Sequence, residues 1–230
     1  MTLEEAITAR HSVRQYLEKP IEAEKIEAIQ ECLNCCNREG GVHFQLIANE
    51  PKAFASILAK YGKFENVNNY IAVVAPKGNK GSVIAGYYGE KVVLLLQTLG
   101  LNSCWVGASY KKVKEAYSVG EGEELKAVIS FGYGMTQGTQ HPQKKSFADV
   151  AQTQEPVPEW FKNGVEAALL APTAVNQQKF KFILHDDNRV EAIAKFSVIG
   201  YSYLDLGIVK CHFEIGAGDN RFTWVSDKEG

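Results

Sequence analysis

An internal repeat limits what this chain can fold into more than any other feature. Lys19-Pro20-Ile21 is matched by Glu155-Pro156-Val157, Ile29 and Leu33 by Val165 and Leu169, and Phe44-Gln45-Leu46-Ile47 by Phe180-Lys181-Phe182-Ile183, each pair 136 positions apart. Ile57 and Ile193 share that offset. Across a gap, Gly89 and Gly100 match Gly207 and Gly218, both pairs 11 positions apart. A fixed register over distant landmarks points to a duplicated supersecondary unit. The second copy shows no counterpart of the apolar run at 70–75 or of the segment at 127–132. The expectation is therefore one full unit with a crossing connection, residues 1–150, and one shortened unit, residues 151–230, packed as a pseudo-dimer within one chain.

Local patterns fill in an α+β chain. Thr2-Leu3-Glu4-Glu5 is a capping box that opens a short helix. A second helix runs from about 22 to 36, and Val42, Phe44 and Leu46 alternate as a strand. Phe54, Ile57 and Leu58 suggest a helix, and the run at 70–75 suggests a strand covered on both faces. A long helix from about 84 to 99 is apolar nearly all round, so it should be central; Gly100 ends it. A short strand at 103–106, a surface helix at 111–117 and a strand at 127–132 follow. Residues 133–155 show little periodicity and read as a long crossing loop.

Composition excludes several classes. The net charge of −2 gives no broad basic field for nucleic acid. The most apolar run, Val92-Val93-Leu94-Leu95-Leu96, is far too short to cross a bilayer, so no membrane partner is expected. Met1-Thr2-Leu3-Glu4-Glu5 is acidic and does not resemble an export signal, which makes a cytoplasmic setting the expectation. The five cysteines then read as reduced thiols. Cys32 and Cys35 form a C-x-x-C without a second Cys/His pair at ligand spacing, and no metal site is expected. The histidines, at 11, 43, 141, 185 and 212, are scattered.

Two stretches carry chemistry. In Ala171-Pro172-Thr173-Ala174-Val175-Asn176-Gln177-Gln178, Pro172 stops the preceding helix, and one hydroxyl and three amides follow. Amides donate and accept, which suits a flat heterocycle with alternating C=O and N–H edges. In Arg10-His11-Ser12-Val13-Arg14, two guanidinium groups flank a hydroxyl, a set that can grip a phosphate. A solvated loop and a basic helix end remain the plain alternatives for the two stretches.

The R-x-S-x-R stretch, the later A-P-T-x-x-N-x-Q, the segment Gly100-Leu101-Asn102-Ser103-Cys104-Trp105-Val106-Gly107, the stretch Phe131-Gly132-Tyr133-Gly134 and the Lys144-Lys145-Ser146 spot together resemble the nitroreductase family. Their order and spacing cover nearly the whole chain. The resemblance implies an α+β nitroreductase-like fold and an FMN cofactor, with NAD(P)H as co-substrate. It departs from the usual pattern in two respects: each copy holds one half of the ligand set, and Gln178-Lys179-Phe180 stands where typical members have Gln-Pro-Trp. Cys36-Asn37-Arg38-Glu39-Gly40-Gly41-Val42 stands where a first amide motif would be. That pattern resembles a tandem, monomeric branch with a single FMN site between the halves.

Carried over, the resemblance implies that Arg10, Ser12 and Lys144 or Lys145 hold the FMN phosphate and ribityl tail, with His11 contributing through its backbone. It places Arg14 near the N1/C2=O end of the ring as the catalytic cation. Pro172, Thr173, Ala174, Asn176 and Gln178 would line the ring from the other half, and Val106 and Gly107 would offer backbone N–H groups. The implied function is reduction of nitroaromatic, quinone or similar small electron acceptors. The alternative is a non-catalytic FMN-binding or redox-sensing protein on the same fold.

Overall fold

The computed structural model describes residues 1–140, 142, 144–218 and 221–225. His141, one of the scattered histidines, lies outside them. Helix α1 (Leu3–Ala9) opens with the capping box expected of Thr2 and Glu5, and α2 (Ala23–Gly40) closes on Gly41 in the left-handed region. They are followed by β1 (His43–Ile47), α3 (Ile57–Tyr61), β2 (Asn69–Pro76), α4 (Gly78–Thr98), β3 (Asn102–Val106) and β4 (Glu123–Gly132). The remainder comprises α5 (Phe147–Val150), β5 (Ala151–Gln152), α6 (Glu159–Leu169), β6 (Phe180–His185), β7 (Arg189–Ala194), α7 (Ser202–Ala217) and β8 (Thr223–Trp224). The class is α+β.

The first sheet has the order β1-β2-β4-β3, with antiparallel neighbours throughout. The second has the order β5-β6-β7-β8; its central pair is antiparallel and both edges are parallel. Ile71, Val73 and Ala75 of β2 face one core while Tyr70 and Ala72 face another, which explains the unbroken apolar run. One continuous core joins Phe44 and Ile129 of the first sheet to Phe180 and Phe182 of the second through Val92, Leu96, Ile208 and Phe213 of α4 and α7.

Those two helices cross through reciprocal glycine contacts. A Cβ on Gly86 would lie 2.0 Å from the Leu204 carbonyl oxygen, and one on Gly207 would lie 1.9 Å from that of Val83. Only residues without a side chain allow backbones this close. The partners are related by one offset: Val83, Gly86 and Tyr87 correspond to Leu204, Gly207 and Ile208, each 121 positions on. The sheets agree with it. Phe44 pairs with Val73 and Leu46 with Ile71, while Phe180 pairs with Ala194 and Phe182 with Ala192. The proposed repeat thus keeps the 136 offset through the helix and first strand, and β2 with β7 and α4 with α7 keep 121.

This revises several expectations. Ile57 opens α3 whereas Ile193 sits in β7, so they do not correspond. Gly207 corresponds to Gly86 rather than Gly89. The run at 70–75 does have a counterpart, β7, reached through a tight hairpin at 186–188 where the first half spends residues 48–68. Helix α4 starts at Gly78, well before 84. Residues 111–117 are turns rather than a helix, because Lys111 N–H bonds Ala53 O at 2.8 Å and Tyr110 stacks on Phe54. The stretch at 133–155 is not one loop: Gly134 bridges Tyr16, Ser146 and Asp149 cap α5, and β5 joins the second sheet.

Candidate functional site

Three segments far apart in sequence meet between the two sheets. The first leaves α1 at Arg10 and runs beside β3, where Val13 N–H bonds Ser103 O at 3.0 Å and Ser12 bridges Ser103. The second is the loop after α6. Pro172 follows the helix end, and Val175, Asn176 and Gln178 all take left-handed backbone, with φ of 47°, 52° and 46°. A β-branched residue in that region is strained, so the surroundings must hold it. The third is the start of α7.

The hydrogen bonds show what holds the loop. Asp205, 3% exposed, accepts from Ala174 N–H at 3.0 Å and from Gln177 Nε2 at 2.8 Å. Gln178 N–H donates to Thr173 Oγ1 at 3.0 Å, and Gln178 Nε2 donates to Leu169 O at 3.0 Å. Lys144 Nζ donates to Val175 O at 3.2 Å, and Asn176 Nδ2 reaches Pro142 O at 3.4 Å, tying the loop to the segment after β4. Burial pushes the Asp205 carboxyl up to about 6, against the pull of its Gln177 and Ala174 donors.

Two adjoining cavities lie along these segments. One, of about 430 Å³, is lined by Arg10, His11, Ser12, Arg14, Lys144, Pro172, Thr173, Asn176 and Gln178 among others. The other, of about 490 Å³, is lined by Val106, Gly107, Pro172, Thr173, Ala174, Tyr201 and Asp205, together with Ser12 and Arg14. Ser12, Arg14, Pro172, Thr173 and Val175 line both, so the two form one cleft in the size range of small-molecule sites. The first end is rich in cations and amides; the second adds Trp105, Val106, Leu204 and Ile208.

Of the residues the resemblance implies as cofactor contacts, every one except Lys145 lines one of these cavities; Gln177, the third amide of the loop, lines neither. Reasoning from sequence missed Asp205, Tyr201, Phe64 and Ile199. Asp205 carried a signal, an acid inside the apolar Tyr203-Leu204-Asp205-Leu206 stretch.

Two groups lack the partners their burial requires. Arg10 is 8% exposed, its Nη1 donates to Leu170 O at 3.4 Å, and among the described residues no carboxylate lies within ion-pair distance. Burial lowers its pKa, with the charge of Glu90 opposing. Gln178 Oε1 is buried and accepts no hydrogen bond among the described residues. Such groups cost stability unless a ligand satisfies them. An anion beside Arg10 and a donor beside Gln178 would both fit.

Residues 2–217 match the family model described as "Putative TM nitroreductase". Among solved structures, the chain is similar to a "putative nitroreductase" from Thermotoga maritima MSB8, with 22% identity, a TM-score of 0.66, and coverage of 93% of this chain and 82% of that one. It is also similar to a "putative nitroreductase in complex with FMN" from Desulfovibrio desulfuricans, with 17% identity, a TM-score of 0.52, and coverage of 69% and 99%. An "FMN-dependent nitroreductase" from Clostridium difficile R20291 shares 18% identity, with a TM-score of 0.51 and coverage of 63% and 95%. No curated protein matches.

Proposed function

The chain belongs to this nitroreductase family, and from that premise we propose that it is an FMN-dependent oxidoreductase that uses NAD(P)H to reduce nitroaromatic, quinone or similar small acceptors. The observation that carries the reading is the cleft itself. Among the described residues, a buried guanidinium without a carboxylate partner and a buried amide oxygen without a donor, those of Arg10 and Gln178, line the same cavity. A phosphate tail at Arg10, Ser12 and Lys144 would answer the first, and an N–H or O–H of the cofactor would answer the second. Lys145 lines neither cavity, so Lys144 takes the place between them.

FMN would supply hydride acceptance at one edge and donation to the second substrate. The protein's share is binding, orientation and electrostatics. Arg14 lines both cavities, and from there it would offer a fixed positive charge to the negative charge of a reduced ring. Pro172, Thr173, Ala174, Asn176 and Gln178 form the wall opposite the Arg10–Arg14 segment, and Asp205 keeps that wall in place. Val106 and Gly107 would offer backbone N–H groups. A Cβ on Gly107 would lie 2.5 Å from the Tyr201 ring, so Tyr201 covers this edge and limits what can stand above it. With a quinone the overall exchange is NAD(P)H + H⁺ + quinone → NAD(P)⁺ + quinol.

The same proposal includes a duplicated chain, residues 1–150 and 151–230, acting as an intrachain pseudo-dimer with one site. The reciprocal α4–α7 crossing supports it. The test is spectroscopic. The FMN-loaded chain should bleach anaerobically with NAD(P)H and recover colour on adding a quinone or nitro compound. Arg14→Ala should slow bleaching about 10²-fold or more. FMN that binds but is not reduced by NADH or NADPH would assign the chain to the non-catalytic reading.

A further inference from the structure

The mouth of the second cavity is bordered by two segments that hold apolar side chains in solvent. Helix α3 exposes Ile57 (87%), Leu58 (50%) and Tyr61 (87%), and the β7–α7 loop exposes Phe196 (84%), Val198 (90%) and Ile199 (50%). Tyr61 and Ile199 line the same cavity, so the segments flank one opening. Helix α3 buries only Ala59 and turns its larger apolar residues outward, the reverse of an ordinary surface helix.

The surroundings are basic. Residues 52–64, 105–114 and 194–203 contain no Asp or Glu in a chain whose net charge is −2, and only Glu50, Glu65 and Glu115 adjoin the first two stretches, against six lysines within them. Lys60 lies in α3, Lys52 and Lys63 flank it, and the segment carrying Lys111, Lys112 and Lys114 runs beside it, because Lys111 N–H bonds Ala53 O and Gly62 abuts Ser109. All six are exposed, and none forms a salt bridge among the described residues. Lys195 adds a cation on the second segment.

We infer that this face docks on an anionic lipid bilayer, with the apolar tips of α3 and the β7–α7 loop inserted among the headgroups and the lysines against the lipid phosphates. Apolar side chains within a basic surround are what an interfacial surface requires. A second copy fits less well, since a two-fold contact would set lysines against lysines. An acidic protein would meet the charges, but the apolar groups project from two separate segments rather than forming one interface core. Docking needs no spanning segment, and among the described residues no helix is long and apolar enough to cross a membrane. The expectation of no membrane partner rested on spanning length alone. An apolar acceptor dissolved in the bilayer would reach the cavity without crossing water; that consequence rests on the oxidoreductase reading, whereas the docking does not.

The test is cosedimentation of the FMN-loaded chain with vesicles of phosphatidylcholine, alone or mixed with phosphatidylglycerol. The chain should sediment with the mixed vesicles at low salt, stay in solution with phosphatidylcholine alone, and be released at high salt. Ile57→Ser with Phe196→Ser, and separately Lys60→Glu with Lys112→Glu, should each lower partitioning about tenfold or more. None of these four side chains lines the cleft, so reduction of a water-soluble quinone should be unchanged. Absence of partitioning, or variants that partition like the parent, would overturn the inference. So would self-association abolished by the serine changes without vesicle binding. Vesicle binding without soluble-quinone reduction would uphold the docking and refute the oxidoreductase reading.

Discussion

Arg10 and Asp205 are both buried ionisable groups, and they carry opposite consequences. Arg10 keeps its charge without a carboxylate partner within ion-pair distance, which costs the ligand-free chain stability. Arg10→Met should therefore raise the melting temperature of the FMN-free protein while weakening FMN binding by roughly 1.5–3 kcal/mol, the range for a hydrogen bond to a charged group. Differential scanning fluorimetry and an FMN titration check the two halves. Asp205 has its carboxyl raised from 3.8 to about 6 by burial. The folded chain holds that proton more tightly than the unfolded one. The stabilisation is full below about pH 4 and is lost as pH rises through the folded value, about 6. The span corresponds to about 3 kcal/mol. Asp205→Asn should flatten the stability profile between about pH 4 and pH 6, as urea unfolding at several pH values would show. At this scale the sequence revealed the Arg10–Arg14 and Pro172–Gln178 sets, whose chemistry is concentrated in short stretches. It did not reveal Tyr201 or Ile199, which reach the cleft only because the second sheet brings the β7–α7 loop to it.

Helices α2 and α6 end differently at the positions the proposed repeat matches, and the single-site proposal rests on that difference. Pro172 stops α6 and opens the amide loop. Its counterpart, Cys36, lets α2 continue to Gly40. There Asn37 closes on Phe44, its Oδ1 accepting from Phe44 N–H at 2.7 Å and its Nδ2 donating to Phe44 O at 3.0 Å. The Tyr88 ring lies against Gly40, where a Cβ would meet it at 2.5 Å. The first half has therefore filled the space that the second half leaves open. The crossing of α4 and α7 is the other decisive pair. Gly207→Ala should cost about 3 kcal/mol, because the added methyl would meet the α4 backbone at Val83 O and Tyr87 N, which cannot yield as a flexible side chain would; chemical denaturation would measure it. Strands were legible where apolar residues alternate or run unbroken. Strand β7 was missed because Val190, Ala192 and Ala194 alternate with Arg189, Glu191 and Ile193 on a small-residue face that reads weakly. The turns at 111–117 were misread because side chains of a distant segment, not local periodicity, fix them.

At the scale of the whole molecule, the proposed duplication sets two halves around the α4–α7 crossing, where Gly86 and Gly207 make reciprocal contacts. The proposed repeat rests in sequence on the first strand pair, and its second offset could not be read there, because a hairpin of three residues stands where the first half has the longer excursion that holds α3. That shortening has consequences beyond the count of residues: α3 exists in only one half, so only one opening is bordered by it and by the β7–α7 loop. The Arg10–Arg14 segment and the amide loop likewise occur once each and meet once. The account's central claim is a single cofactor site composed from both halves of one chain. The measurement that tests it most directly is the visible absorption spectrum of the purified chain, saturated with FMN and freed of excess, with protein concentration determined independently. The account predicts a flavin spectrum at about one FMN per chain with the protein sedimenting as a monomer. Two FMN per chain, or one FMN bound only by a dimer, would contradict it.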